Sequence, residues 1–240
     1  MGDNIKYYCG DGIIFSEGGW KFDKDVSKVF QTHAEKSIPL YLQNHELVKI
    51  VVSYLLNNKK FRKRRLKILD IGCSVGSLEI KLDKYFGKLV KIDAIDKSEF
   101  MIKRCHKLDS CMFYCGELDS VGLRGKYDLV VVLYMLQFVK DIEGFVENLK
   151  KYVKKDSVLI IADKFNSDRV LCNCLYKQFK KIEYTDEEIL GKEKSLKNVQ
   201  NTIDYSVIDY ITRKLKLKNF EKVMQGFQFE TFIVYGEDIL

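Results

Sequence analysis

The chain has 240 residues, 46% hydrophobic and 31% charged, with a net charge of +7. That is enough apolar material for one large domain or a domain with an elaborated cap. No run approaches the roughly 18 apolar residues of a membrane span, so a globular chain with no membrane partner is expected. The start, Met1-Gly2-Asp3-Asn4-Ile5-Lys6, has neither the apolar core of a secretory signal nor the serine or threonine of a myristoylation motif, which makes the cytoplasm the expected compartment. The seven cysteines are odd in number and irregularly placed, so reduced thiols are expected rather than a paired framework or a zinc site. Cys172-Asn173-Cys174 reads as ordinary buried helix, and His33, His45 and His106 are scattered; no metal is expected.

Residues 1 to 20 are glycine-rich and read as irregular. Asp25 to Leu56 carries apolar residues at helical spacing, broken at Ser37-Ile38-Pro39-Leu40-Tyr41, where the single proline excludes a continuous helix. A basic run follows, Lys59-Lys60-Phe61-Arg62-Lys63-Arg64-Arg65; it could meet nucleic acid, but lysines spread through the whole chain favour a solvated loop.

From Leu66 the rhythm changes to short apolar strands alternating with amphipathic helices, which implies parallel strands joined by right-handed crossovers. Strands are expected at Lys67 to Ile71, Lys88 to Ile95, Ser110 to Cys115, Tyr127 to Tyr134 and Ser157 to Asp163, and helices at about 76–86, 98–108 and 141–153. Residues 166 to 202 are charged and too long for a bare connection, so a helical cap is expected there. After a helix near Ser206 to Leu217, Phe220 to Met224 and Phe229 to Tyr235 read as a hairpin turning at Gln225-Gly226-Phe227, adding antiparallel strands to one sheet edge.

Lys67 to Leu78 carries the strongest signal. An apolar strand runs into Gly72-Cys73-Ser74-Val75-Gly76 and then a helix, which suits an adenosine-type ligand. Its G-x-x-x-G spacing lacks the lysine of a phosphate-binding loop and the third glycine of a dinucleotide fingerprint. In a doubly wound sheet the ligand lies beyond the carboxyl ends of the strands, and those ends agree. Asp70 precedes the glycine turn. Asp96, with Lys97 and Ser98, follows strand two, placed to accept ribose hydroxyls. Glu117 and Leu118 follow strand three, suited to an adenine amino group and ring face, and Leu133-Tyr134-Met135-Leu136-Gln137-Phe138 follows strand four.

This succession of strand ends resembles the class I S-adenosylmethionine-dependent methyltransferases. The resemblance implies an α/β, Rossmann-like fold: a mostly parallel seven-stranded sheet with an antiparallel C-terminal hairpin, a helical N-terminal lid and a helical cap insertion. It implies S-adenosyl-L-methionine as cofactor, its amino-acid part over the glycine turn, its ribose on Asp96 and its adenine at Glu117. The expected division is 1–65 lid, 66–165 core, 166–205 cap, and 206–240 the helix and hairpin completing the core.

A closer likeness runs through Gly19-Trp20-Lys21-Phe22-Asp23, Val29-Phe30, Ser37-Ile38-Pro39-Leu40-Tyr41, Asp70-Ile71-Gly72-Cys73-Ser74, Ala94-Ile95-Asp96-Lys97-Ser98, Leu136-Gln137-Phe138, Asp163-Lys164-Phe165 and Leu196-Lys197-Asn198-Val199. These segments resemble, in order, the carboxy-S-adenosylmethionine synthases, which serve tRNA wobble-uridine modification by converting S-adenosylmethionine and prephenate into a carboxylated sulfonium. By this resemblance Tyr41 approaches the cofactor from the lid. Three positions depart from that family. Its cap arginine, which grips the extra carboxylate, is matched by Glu193, unless a slip of one residue brings in Lys192 or Lys194. A family asparagine is matched by Leu133, and the usual third-strand aspartate by Glu117. A carboxylate cannot replace a guanidinium fork.

Ordinary methyl transfer is therefore the expected chemistry. Tyr41, Tyr134 and Lys164 are the candidates for the acceptor site, and Tyr41, Asp70, Gly72, Cys73, Ser74, Gly76, Asp96, Lys97, Ser98, Glu117, Leu118 and Leu133 for cofactor binding. A small-molecule acceptor is expected because the cap should close over the site; an RNA acceptor and a homodimer stay open. The alternatives are retained carboxy-S-adenosylmethionine synthesis and a non-catalytic S-adenosylmethionine-binding subunit.

Overall fold

The computed structural model describes residues 5–61, 64–166, 170–201 and 203–236. The chain opens on a short antiparallel hairpin, β1 (Lys6–Tyr8) and β2 (Ile14–Ser16), where an irregular segment was expected. Gly10-Asp11-Gly12, all at positive φ, makes its turn, and Cys9 and Ile13 are buried beside Trp20. Two helices follow, α1 (Lys24–Ser37), capped by the Asp23 carboxylate, and α2 (Tyr41–Asn57). Between them Ile38 is extended and Leu40 left-handed. Pro39 has no N–H and bars the preceding residue from the helical region.

The main sheet alternates with helices: β3 (Leu66–Ile71), α3 (Ser77–Phe86), β4 (Val90–Asp96), α4 (Glu99–Ile102), β5 (Cys111–Cys115), β6 (Tyr127–Leu133), α5 (Ile142–Leu149) and β7 (Val153–Lys164). Next come α6 (Val170–Lys180), α7 (Asp186–Ser195), α8 (Tyr205–Lys214), β8 (Asn219–Gly226) and β9 (Phe229–Tyr235). Among the described residues the sheet has the order β5-β4-β3-β6-β7-β9-β8. The first five strands run parallel, and β9 is antiparallel to both β7 and β8. The expected Rossmann-like sheet with its reversed edge is present.

Both faces of the central strands are covered, which is why they read as unbroken apolar runs. Alternate residues divide between two cores: Leu129, Val131 and Ile160 pack on the side of α2 and α3, Val130, Val132 and Ile161 on the side of α5 and α8. The chain steps outward from β3 to β5 and returns to place β6 beside β3, so the order reverses there. A crevice opens at that point beyond the strand ends.

Several boundaries differ from expectation. The helix expected over 98–108 stops after Ile102, where the Cys105 thiol bonds the Ser74 carbonyl and Arg104 reaches Ser27. The helix expected to 153 ends at Leu149, because Val153 already pairs with Tyr127. Strand β4 begins at Val90, after a tight turn over Gly87–Leu89. The C-terminal strands continue to Gly226 and turn at Phe227, which has φ 57°.

The basic run has a structural use. Arg64 donates from both Nη atoms to the buried Asp128 carboxylate at 2.6 and 2.5 Å, and Lys60 pairs with Asp156 at 3.0 Å. Arg62 and Lys63 lie outside the described residues.

Candidate active site

The glycine turn is shaped by backbone geometry that side chains resist. After Ile71, Gly72 has φ 86°, Ser74 55° and Gly76 79°, and the Gly72 and Cys73 N–H groups donate to the Ile95 carbonyl at 2.8 and 3.0 Å. A Cβ on Gly72 would lie 3.0 Å from Met135 Cβ, across the switch point. Gly76 is constrained differently: its Cβ would strike the Phe113 ring and the Cys105 sulfur. It packs the turn and starts α3 without lining the cavity.

Asp96 links the first two strand ends. Its Oδ2 accepts the Ser74 N–H at 2.9 Å and its Oδ1 the Ser98 N–H at 2.8 Å. Each oxygen keeps a further lone pair for a ligand hydroxyl. Burial raises the Asp96 pKa against the pull of these N–H groups. Ser98 itself is turned away: its hydroxyl donates to the Phe22 carbonyl and caps α4. At the end of β5, Glu117 is exposed and Leu118 buried.

Beneath the turn are two more acids. Asp70 and Glu79 are buried, and neither Glu79 oxygen has a hydrogen-bond partner among the described residues. Burial pushes Asp70 up to about 6 and Glu79 well above the carboxylate range, with the charge of Asp70 adding to the effect on Glu79. Asp70 lines the cavity and favours a cationic ligand, whereas Glu79 lies behind it as the neutral acid. S-adenosylmethionine, with its ammonium and sulfonium, fits this wall, and the side-chain-free approach at Gly72 fits its close passage over the backbone.

The crevice continues into a cavity of about 1140 Å³, large enough for a nucleoside cofactor and a second reactant. Tyr41, Asp70, Gly72, Cys73, Ser74, Asp96, Lys97, Glu117, Leu118, Leu133, Tyr134 and Lys164 all line it, whereas Gly76 and Ser98 do not. Tyr134 is left-handed, with φ 58°. Its hydroxyl accepts from Asn44 Nδ2 at 2.6 Å, and Thr231 holds the other end of that amide at 2.8 Å. The Tyr41 ring stacks on it with centroids 5.8 Å apart.

The opposite wall joins Lys180, which sequence reading passed over, to the expected Lys164 and to Lys192, named above only as an alternative to Glu193. Lys164 and Lys180 lie 5.4 and 4.7 Å from the centre of the Tyr176 ring, and Lys192 lies 4.5 Å over Trp20. Burial lowers the pKa of Lys164 and brings Lys192 down to about 7. His33 Nδ1 is 2.8 Å from Asp11, Tyr184 donates to the same carboxylate at 2.5 Å, and Lys192 Nζ meets His33 Nε2. His33 had appeared isolated because Asp11 is 22 residues away and Lys192 159. Only the Gly10-Asp11-Gly12 turn hinted that this acid had a fixed place.

Glu193 also reads differently in three dimensions. It lines the cavity, is exposed there and pairs with Lys180 at 2.9 Å, so it is not an uncompensated acid. Lys192, one residue earlier on α7, lines the cavity as well and turns to His33 and Trp20. The expected charge repulsion is thus offset by three lysines along the wall.

Residues 42–231 match the model of a methyltransferase domain family. The carboxy-S-adenosyl-L-methionine synthase of Sulfurimonas denitrificans is 27% identical over 89% of this chain and 93% of its own length, and that of Shewanella halifaxensis 27% identical over 89% and 91%. Among solved structures, the plantazolicin methyltransferase BpumL in complex with SAH superposes with TM-score 0.61 at 17% identity, covering 90% of this chain and 91% of the other. A SAM-dependent methyltransferase from Aquifex aeolicus gives TM-score 0.58 at 19% identity, with 90% and 98% covered. These superpositions bear on the fold.

Proposed function

The chain belongs to the methyltransferase domain family, and from that premise we propose that this class I S-adenosylmethionine-dependent methyltransferase acts on a small molecule enclosed in the cavity. The observation that carries the acceptor class is the cavity itself: Tyr41 and Tyr134 wall one side, and α6 and α7 supply the lysines of the other. An RNA acceptor is disfavoured because Lys60 and Arg64 of the basic run are held in ion pairs. We assign residues 1–65 as lid, 66–165 as cofactor-binding core, 166–205 as cap and 206–240 as the segment completing the core, within the cytoplasm.

When bound, S-adenosylmethionine supplies a methyl group already activated as a sulfonium. The chain's task is then to position, desolvate and handle a proton. Gly72, Cys73 and Ser74 present backbone at the turn, Asp96 receives ribose hydroxyls, and Glu117 with Leu118 receives adenine. Asp70 offsets the ligand's positive charge. Tyr41 and Tyr134 are buried phenols with pKa values raised by that burial; they stay protonated and orient an acceptor as donors and as walls. Lys164 draws an anionic part of the acceptor toward the strand end.

A second reading, carboxy-S-adenosylmethionine synthesis, is favoured by one observation. Lys164, Lys180 and Lys192 make the wall cationic despite Glu193, and the relatives named above carry that name. Incubation with S-adenosylmethionine, with and without prephenate, followed by mass measurement of the recovered nucleoside separates the two. An unchanged cofactor with prephenate supports methyl transfer. A product heavier by a carboxyl group overturns it in favour of the second reading.

A further inference from the structure

Lys192 is set in a chain of hydrogen bonds that fixes the tautomer of its neighbour His33. Tyr184 donates to Asp11 Oδ2 at 2.5 Å, and Lys36 to Asp11 Oδ1 at 3.1 Å. The same carboxylate faces His33 Nδ1 at 2.8 Å, so that nitrogen carries the imidazole hydrogen. His33 Nε2 is therefore an acceptor, and Lys192 Nζ donates to it. His33 is buried, and burial with the neighbouring lysine holds it down to about 3, so it does not take a proton itself. One Lys192 N–H is thus committed to His33 and the ammonium side lies over the Trp20 face. As the free amine, Lys192 keeps its lone pair for the cavity it lines.

We propose that Lys192 is the general base for the acceptor, held in place by His33 and Asp11 as positioning residues. This rests on the methyl-transfer reading above. Lys192 Nζ removes the proton from the acceptor's hydroxyl or amine as that atom's lone pair bonds the methyl carbon. The carbon–sulfur bond breaks with its electrons left on sulfur, giving a neutral thioether. Lys192 ends as the ammonium and returns its proton to solvent when products leave. Tyr41 and Tyr134 cannot serve, because burial raises both phenols. Lys164 has no comparable acceptor to orient it among the described residues.

The groups facing Lys192 come from every element around it. Cys9 and Asp11 approach from the N-terminal segment, His33 from α1, Lys164 from β7 and Lys180 from α6. Burial, Lys180 and Lys164 favour the amine; Cys9 and Asp11 favour the ammonium. That balance puts its proton release near neutrality. A bound sulfonium adds one more positive charge and selects the amine.

The test needs no knowledge of the acceptor. Binding of S-adenosylmethionine and of S-adenosylhomocysteine is measured by calorimetry at pH 6 and pH 8; the two differ only in the methyl group and the positive charge it places on sulfur. The ratio of their affinities should rise about tenfold in favour of S-adenosylmethionine over that interval, from the fraction of free amine at each pH. In Lys192→Met the ratio should not change with pH. In Lys192→Arg, permanently charged, S-adenosylmethionine should bind more weakly than S-adenosylhomocysteine at both values. Retained binding of S-adenosylhomocysteine marks each variant as folded. Trace acetylation read by mass spectrometry should show Lys192 reacting with a midpoint near pH 7 and protected by S-adenosylmethionine.

A ratio independent of pH in the wild type, as for a lysine that only grips an anion, overturns the base while leaving the cofactor intact. The same holds if the Lys192→Met ratio keeps the wild-type slope. If the wild type binds neither ligand, the methyl-transfer reading fails and the base with it.

Discussion

Asp96 accepts the Ser74 backbone N–H at 2.9 Å, so the acid at the end of β4 braces the glycine turn at the end of β3. Removing it should therefore cost twice, in ribose contacts and in turn geometry. Asp96→Ala is expected to weaken S-adenosylmethionine on the order of tenfold to a hundredfold, as for loss of hydrogen bonds to a charged group. Asp96→Asn, which keeps one accepting oxygen, should lose less. Calorimetric affinity of the alanine variant within twofold of wild type would remove Asp96 from the ribose site.

Gly72 and Gly12 share positive φ, at 86° and 76°, but only Gly72 meets another atom, Met135 Cβ at 3.0 Å. Gly12→Ala should cost about 1 kcal/mol for the left-handed backbone alone. Gly72→Ala carries that cost and a steric one, about 2–3 kcal/mol in all, with weaker cofactor binding. Equal melting temperatures for the two variants would contradict the close approach of β3 and β6.

Asp163 is buried at the end of β7, where it accepts the Lys164 N–H at 2.7 Å and the Gln137 N–H at 3.3 Å. Burial pushes it up to about 7 from an ordinary 3.8. The folded chain thus binds more protons than the unfolded one between those values. Stability from this group is full below the unfolded pKa and is lost as pH rises through the folded one. Asp163→Asn should accordingly stabilise the protein at pH 8, by a few kcal/mol at most, and do little at pH 4. Thermal denaturation at the two pH values checks this, and an equal shift at both would refute it.

Arg64 and Asp128 make the opposite case. Asp128 is buried, and although burial opposes it, bonds from Arg64, Lys154 and the Lys67 N–H hold its pKa low. Its contribution is present above the ordinary carboxylate range and is lost as pH falls through the lowered value. Arg64→Ala should cost about 1–3 kcal/mol at pH 7, less than for a fully enclosed pair because Arg64 is 43% exposed and Lys154 remains. Urea denaturation should show that loss shrinking toward pH 3. A loss of RNA affinity with no loss of stability would instead restore the basic run as a binding surface.

The sheet and half of the site were legible because their signals are local. Apolar runs marked β3, β4, β6 and β7, the first three with a glycine beside them, and an acid at the end of each of β4 and β5 marked Asp96 and Glu117. Boundaries failed where a distant partner ended an element. Cys105, drawn to Ser74, stops α4, and the pairing of Val153 with Tyr127 cuts α5 short. Nothing in the residues 98–108 or 141–153 announces those partners.

By itself, the sequence determined the order of strands and helices, the glycine turn and the acid spacing behind it, since each depends on the conformational limits of neighbouring residues. It also carried the family. Only the tertiary structure decided which face of α7 meets the cavity. An α-helix turns about 100° per residue, so adjacent positions take different partners: Lys192 turns to His33 and Trp20, while Glu193 turns to Lys180, both lining the cavity. The charge of that cavity wall follows from the rotation, which is set by how α7 packs on the N-terminal hairpin and α1 rather than by any residue in α7 alone.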